Sequence, residues 1–318
     1  MSRWELAGRT VVITGAGGGL GSNLAHALRA EGCNLALLDL DQAGVENLAE
    51  DLGGPQRARG WRADVCDLES LQIAFAEAEE HFGRIDVVVA NAGVELIAAV
   101  ETGDPAAFER LVDVNLTGVW RTYRTAIPYV TKHRGYLLGI SSMAAFGHSP
   151  LQSGYTASKA GVWAMSNSLR LELRPRGVAV GTLHPTFFNT PMHEAMLKNP
   201  AGETLWDGHR RQPFKMVTRE EVITAAVDTI RRRAKTVTVP SSNHFAAIAP
   251  GVLRSIFETV GFSDTTITRA TDLASAPRLA VVADAEPATE PATESGAPAP
   301  ESNSPHAAPG GTLEVSRS

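Results

Sequence analysis

The chain is poor in residues that staple a fold or hold a metal. Only two cysteines, Cys33 and Cys66, stand among its 318 residues. They follow no metal-ligand spacing, so no metal site is expected, and they read as reduced thiols of a cytoplasmic protein. Basic excess is lacking as well: 29 Lys and Arg stand against 35 Asp and Glu, a formal net charge of −6, which argues against a nucleic-acid partner. Arg231-Arg232-Arg233 is a short basic run closing a predicted helix, where it complements the helix C-terminus. No apolar run approaches the ~18 residues of a membrane span. The opening Ser2-Arg3-Trp4-Glu5 lacks the apolar stretch of a signal peptide. What remains suits a globular enzyme, since 318 residues of 43% apolar content can build one large core plus extra material.

Apolar runs and helical patterns alternate. Strands are predicted near 10–14, 34–39, 57–63, 85–90, 135–141, 178–184 and 236–239, and helices near 19–31, 42–51, 67–82, 105–132, 153–174 and 218–233. Such alternation implies right-handed crossovers and a doubly wound, seven-stranded parallel sheet covered on both faces. The first strand, Thr10 to Thr14, runs into Gly15-Ala16-Gly17-Gly18-Gly19-Leu20-Gly21, and a helix follows. Strand, glycine loop and helix together make a phosphate cradle, because side chains there would block a pyrophosphate from the backbone amides. As a bare loop the same glycines would be a flexible turn. The next strand ends in Asp39. A carboxylate about 20 residues past the loop accepts hydrogen bonds from the adenosine ribose and repels a 2′-phosphate. The loop itself carries no Lys or Arg, which points to NAD in preference to NADP. The competing reading is that Asp39 caps the following helix.

Tyr155 and Lys159 are four residues apart on a predicted helix, with Ser142 upstream at the end of a strand. Side chains at i and i+4 share a face. A cation beside a phenol favours the phenolate and lowers its pKa, which fits the phenol to take or give an alcohol proton. In isolation, Tyr-x-x-x-Lys is most often a surface pair. Here it follows the glycine loop, the acidic strand end, and another strand that runs into Asn91-Ala92-Gly93.

With these motifs in this order, the chain resembles the short-chain dehydrogenase/reductase family in its single-domain branch. The resemblance rests on Thr14-Gly15-x-x-x-Gly19-x-Gly21, Asp64-Val65, Asn91-Ala92-Gly93, Asn115, Ser142, Tyr155-x-x-x-Lys159, and Pro185 with Thr190, across roughly residues 5 to 240. It implies a Rossmann fold and assigns roles. Tyr155 would be the general acid/base. Lys159 would tune it and hold the nicotinamide ribose, Ser142 would bind the substrate oxygen, and Asn115 would hold a water in the proton relay. Gly15, Gly19, Leu20 and Gly21 would receive the pyrophosphate. Asp64 and Val65 would flank the adenine, while Asn91, Ala92 and Gly93 would pack near the adenosine and ribose. Pro185 and Thr190 would border the nicotinamide. Ser141 is the other candidate for the serine role. Two positions depart from the family's usual pattern: Ala90 replaces a second Asn, and Thr186 follows Pro185 where glycine is usual. The second departure puts the local loop path in doubt. His184 reads either as a substrate contact or as a structural strand-end histidine.

Residues 186–217 break the alternation and are expected to form a lid. Its Phe187, Phe188, Met192, Met196, Leu205 and Trp206 either suit a hydrophobic ligand or pack the lid on the core. Residues 1–240 thus make the dehydrogenase domain. Residues 241–282 form a partly helical extension with an apolar stripe at Leu253, Ile256, Phe257 and Val260. Residues 283–318, rich in Pro, Ala, Thr and Glu, are expected to be disordered. The expected activity is hydride transfer between NAD(H) and a hydrophobic secondary alcohol or ketone. An idle NAD-binding regulator and an epimerase or dehydratase stay open on the same fold. A homodimer or homotetramer is expected, with Val162, Trp163, Met165 and Leu169 offering apolar surface.

Overall fold

The computed structural model describes residues 4–206, 216–251 and 262–275. Its strands are short and dense in Val, Leu and Ile, which suits burial on both faces. They are β1 (Thr10–Thr14), β2 (Asn34–Asp39), β3 (Ala58–Arg62), β4 (Val87–Ala90), β5 (Tyr136–Ile140), β6 (Ala179–Pro185) and β7 (Thr236–Val239). All pair in parallel, in the order β3-β2-β1-β4-β5-β6-β7. Every residue of β1 is buried. Val11 and Ile13 join the core on one face of the sheet and Val12 the core on the other, as the pleat dictates. The order reverses beside β1, so the carboxyl ends of β1 and β4 diverge and open a crevice.

The helices are α1 (Gly19–Ala30), α2 (Gln42–Asp51), α3 (Leu68–Phe82), α4 (Pro105–Val112), α5 (Gly118–Lys132), α6 (Ser153–Leu173) and α9 (Arg219–Arg232), with α7 and α8 in the lid. Asp41, Asp67 and Asp104 cap α2, α3 and α4 with their carboxylates, and Thr218 with Glu221 forms a capping box on α9. Helix α1 differs: Gly18 precedes it and no side chain caps its first turn. Its first turn, at Gly19, Leu20 and Ser22, borders the crevice.

Three expectations are corrected. The single helix predicted over 105–132 is interrupted by a π turn at Asp113–Thr117, where the side chain of Asn115 turns in to bind Val94. The lid is not a plain break. It carries α7 (Pro191–Lys198) and α8 (Pro200–Trp206), each opened by a proline whose missing N–H costs nothing at a first helical position. Finally, of the four apolar residues expected to offer surface on α6, Val162 is buried in the core, while Met165 and Leu169 pack against that core and Trp163 onto Phe146 and all three stay partly exposed.

The C-terminal extension contributes α10 (His244–Ile248) and α11 (Asp264–Ser275). Ala270 of α11 is buried against Met196, Leu205 and Trp206, so this helix backs the lid. The stripe at Leu253 to Val260 and the tail at 283–318 lie outside the described residues. Among the described residues no helix is long and apolar enough to cross a membrane.

Candidate active site

The glycine loop is built by close approach. Gly15 sits at φ 65°, in the region that favours glycine, and a Cβ there would lie 2.8 Å from Cα of Ala92. A Cβ on Gly21 would meet the carbonyl oxygen of Gly15 at 2.2 Å. Asn91 clamps the loop from below: its amide donates to the carbonyls of Thr14 and Gly15, each at 3.0 Å. Lid residue Pro191 covers the loop from above, close enough that a Cβ on Gly19 would touch its Cδ at 2.8 Å.

Asp39 faces this loop. Its Oδ2 accepts the Gly17 amide at 2.9 Å and its Oδ1 the Asp41 amide at 3.2 Å. The cap of α2 is instead Asp41, which accepts from Gly44 at 3.0 Å. Asp39 is therefore not a helix cap. Two of its roughly four acceptor positions remain for a ligand. Asp64 and Val65 border the same crevice past β3, and Asp64 holds its own turn through the Cys66 amide at 2.8 Å.

At the other end, helix α6 carries Tyr155 and Lys159. Lys159 is 4% exposed, and its Nζ donates to the carbonyl of Ile140 at 3.1 Å. Burial lowers its pKa to about 8. The ammonium lies 5.6 Å from the Tyr155 ring centroid. The phenol behaves differently from the sequence expectation. Burial first, and then the Glu95 carboxylate, push its pKa above the ordinary value of 10, while a hydrogen bond with Ser142 opposes them. In this structure desolvation outweighs the nearby cation.

Both serines border the cavity but differ in how their hydroxyls are engaged. Ser141 donates its hydroxyl to the carbonyl of Lys159 at 2.9 Å and is 2% exposed. Ser142 lines the cavity beside Tyr155. His184 is fully buried; its ring nitrogens approach the carbonyl of Ser142 at 3.2 Å and the hydroxyl of Thr182 at 2.8 Å, and it stacks on Phe146. It supports the serine turn from behind and does not line the cavity. Thr186 needs no glycine geometry: its amide donates to the carbonyl of Val239 at 2.8 Å, and its φ is not in the left-handed region.

Asn115 is also fully buried. Its Nδ2 donates to the carbonyl of Val94 at 2.8 Å and to the Ser158 hydroxyl at 3.3 Å, while its Oδ1 accepts the Val94 amide at 2.8 Å. Gly93 lets Asn115 and Lys159 draw together, since a Cβ there would stand 3.3 Å from Oδ1 and 3.4 Å from Nζ.

One cavity of about 790 Å³ joins the two ends. Gly15, Gly19, Leu20, Asp39, Asp64, Val65, Asn91, Ala92, Gly93, Ser142, Tyr155, Lys159, Pro185 and Thr190 all line it. Gly21 and Asn115 stand behind the wall, shaping it. Thr190 also caps α7 by accepting the His193 amide at 3.1 Å. In the lid, Phe187, Phe188, Met192 and Trp206 line the cavity, and Phe187 and Trp206 also pack with the inward-facing Met196 and Leu205. The lid's apolar residues thus pack the lid on its neighbours and also leave apolar surface on the cavity. Among the described residues no cluster of His, Cys, Asp and Glu is placed to hold a metal.

Sequence reasoning missed Glu95 and Gln152. Glu95 lines the cavity, and the Gln152 amide donates to its Oε1. Burial pushes the Glu95 carboxyl up to about 7, against the opposing pull of Gln152 and Lys159. Its place two residues past Asn91-Ala92-Gly93 is the only signal that could have flagged it.

Comparison with known proteins places the chain among dehydrogenases and reductases in sequence and fold. Residues 9–201 match the family model described as short chain dehydrogenase. The chain is similar to oxidoreductase UcpA of Salmonella typhimurium, 34% identical over 197 residues, covering 61% of this chain and 74% of that one. It is also similar to 3beta-hydroxysteroid dehydrogenase 1 of Eggerthella lenta, 33% identical over 228 residues, covering 70% and 86%. Among solved structures, it superposes on 3-ketoacyl-(acyl-carrier-protein) reductase of Brucella melitensis complexed with NADH, with a TM-score of 0.63 and 26% identity, covering 74% of this chain and 97% of that one.

Proposed function

The chain belongs to the short-chain dehydrogenase/reductase family, whose members are oxidoreductases of alcohols and ketones, and within it we propose an NAD-dependent enzyme that interconverts a hydrophobic secondary alcohol and its ketone. The observation that carries this reading is the meeting of Ser142, Tyr155 and Lys159 in one cavity with the glycine loop and Asp39. The cradle fits a dinucleotide. It has glycines where a Cβ would collide, uncapped amides opening α1, and a carboxylate aimed at the loop. Gly15, Gly19, Leu20 and Gly21 shape the pyrophosphate site, and Asp39 takes the adenosine ribose hydroxyls. Asp64, Val65, Asn91 and Ala92 border the adenosine. Gly93, Pro185 and Thr190, with Lys159, border the nicotinamide and its ribose. When bound, the nicotinamide supplies or accepts the hydride. The carboxylate of Asp39 would meet a 2′-phosphate as a like charge, which favours NAD.

The chain's own residues handle the proton. Ser142 orients the substrate oxygen towards the phenol. In reduction, Tyr155 donates its proton to that oxygen, and its raised pKa keeps it protonated and ready at neutral pH. In oxidation it must first lose that proton, so oxidation should quicken as pH rises. Lys159 stabilises the phenolate and passes charge towards solvent. The Asn115 side chain is consumed by Val94 and Ser158, so its share in a water relay falls to the main chain of the π turn. The lid's Phe187, Met192 and Trp206 supply apolar surface for the substrate body.

The intact proton machinery speaks against an idle NAD-binding regulator. The glycine spacing Thr14-Gly15-x-x-x-Gly19-x-Gly21 speaks against an epimerase or dehydratase of the extended branch. A closed homodimer or homotetramer is part of the same reading. Phe108 of α4 and Trp120 of α5, 43% and 46% exposed, offer the apolar surface expected of α6. The test is a panel of apolar secondary alcohols and ketones followed by NADH absorbance. Turnover with NAD that exceeds turnover with NADP is expected. Tight NAD binding without turnover of any panel member would instead establish the idle regulator.

A further inference from the structure

Glu95 is placed by three separate segments. It follows the Asn91-Ala92-Gly93 turn, whose position Asn115 sets by binding both the amide and the carbonyl of Val94. Gln152, just before α6, donates its amide to Glu95 Oε1 and in turn accepts the hydroxyl of Ser149. Gln152 is only 3% exposed, and Met196 of the lid lies 3.9 Å from its amide nitrogen. The residue before it, Leu151, sits at φ 62°, an uncommon conformation for leucine. The Ala98 amide donates to the carbonyl of Leu151 at 2.9 Å, which ties the two segments together again. A strained turn and a buried amide thus hold one oxygen of the carboxyl group. Its second oxygen takes no hydrogen bond among the described residues, and the residue lines the cavity.

We infer that Glu95 determines substrate specificity: its free oxygen accepts a hydrogen bond from a second hydroxyl beside the reacting carbinol, and its charge turns away substrates with a carboxylate there. The inference rests on the reading of the cavity as an alcohol site. A hydroxyl fits better than an ammonium, because the Lys159 side chain lines the same cavity and would repel a second cation. The substrate class is then an apolar ring or chain bearing a vicinal diol, or the matching hydroxyketone. The apolar lid residues take the body, Tyr155 and Ser142 take the reacting oxygen, and Glu95 takes its neighbour.

The test, run at about pH 9 where the Glu95 carboxyl is ionised, uses the full chain with NAD and three probes on one ring: cyclohexanol, its vicinal diol and its vicinal hydroxy acid. Ratios of kcat/KM between probes are compared for the wild type, Glu95→Gln and Glu95→Ala, because a ratio is insensitive to the fraction of folded enzyme. The wild type should prefer the diol to the hydroxy acid by about a hundredfold or more, and Glu95→Gln should narrow that to about tenfold, the scale of one hydrogen bond to a charged group. The diol should also lose its lead over cyclohexanol in Glu95→Ala. Titration calorimetry of the same probes on the NAD-loaded Tyr155→Phe chain, with and without Glu95→Gln, reads the preference without turnover. Ratios unchanged by substitution at Glu95, in turnover or in binding, overturn the inference. Absence of turnover by the wild type would count against the alcohol reading, and the binding ratios would still decide the role of Glu95.

Discussion

The two ends of the cavity are built in different ways. The cofactor end is made of main chain: a glycine loop, the uncapped first turn of α1, and strand ends that place Asp39 and Asp64. Its side chains mostly brace that main chain, as Asn91 does. The other end is made of side chains from separate loops and helices, with Glu95, Ser142, Tyr155 and the lid residues Phe187 and Trp206 converging from four segments. The first kind of site tolerates little volume and accepts one class of ligand. The second is shaped by residues that can change one at a time, so specificity resides there.

That contrast can be broken at either end. Tyr155→Phe should act on the substrate end alone. It removes the transferable proton, so turnover should fall by about a thousandfold or more while NAD affinity stays within about threefold. Turnover within tenfold of wild type would remove Tyr155 from the chemistry. Gly21→Ala should strike the cofactor end. Its Cβ would lie 2.2 Å from the Gly15 carbonyl oxygen, and the loop must shift at a cost of about 1–3 kcal/mol. NAD affinity should drop steeply and the melting temperature with it, and fluorescence titration with thermal melts would read both. A wild-type affinity would mean that the loop is not the cradle.

Asp39→Ala combined with Leu40→Arg should exchange the ligand without dismantling the end. Removing the repelling carboxylate and adding a cation should swing the NAD to NADP preference by about tenfold or more. If the unmodified chain already has the higher kcat/KM with NADP, the argument from Asp39 fails.

The smallest effect concerns stability and sharpens the substrate end. The folded chain raises the Glu95 pKa from 4.5 to about 7. The folded state therefore binds that proton more tightly than the unfolded chain. Stability should fall as pH rises between those two values, by an amount of order 1–3 kcal/mol. Glu95→Gln should remove this decline and be at least as stable as wild type at pH 8. Parallel pH–melting curves for the two proteins would refute the burial of a charged carboxylate.

The contrast also explains what could be read from the chain directly. Strand positions agree with expectation to within two residues at each end, because a strand buried on both faces must be a continuous apolar run. The cradle was legible because a close approach of backbone to ligand is recorded as glycine at fixed spacing. Tyr155 and Lys159 were legible because helical geometry couples residues four apart. The lid helices, the π turn at Asn115 and the role of Leu151 were not. Each depends on contacts between segments far apart in sequence. The bond from Gln152 to Glu95 spans 57 residues, and no local pattern encodes it.

Local physics therefore determined the fold class, the sheet and the pairing of Tyr155 with Lys159 on one helix, since periodicity, turn chemistry and helix spacing all act within a few residues. Only the tertiary structure decided which side chains face the cavity and in what electrostatic setting. It chose the structural reading of His184, ruled out the reading of Asp39 as the cap of α2 in favour of Asp41, and raised the Tyr155 pKa where the neighbouring Lys159 alone implied a fall. The reason is desolvation: how far a group is removed from water depends on everything packed around it, and that is a property of the assembled fold.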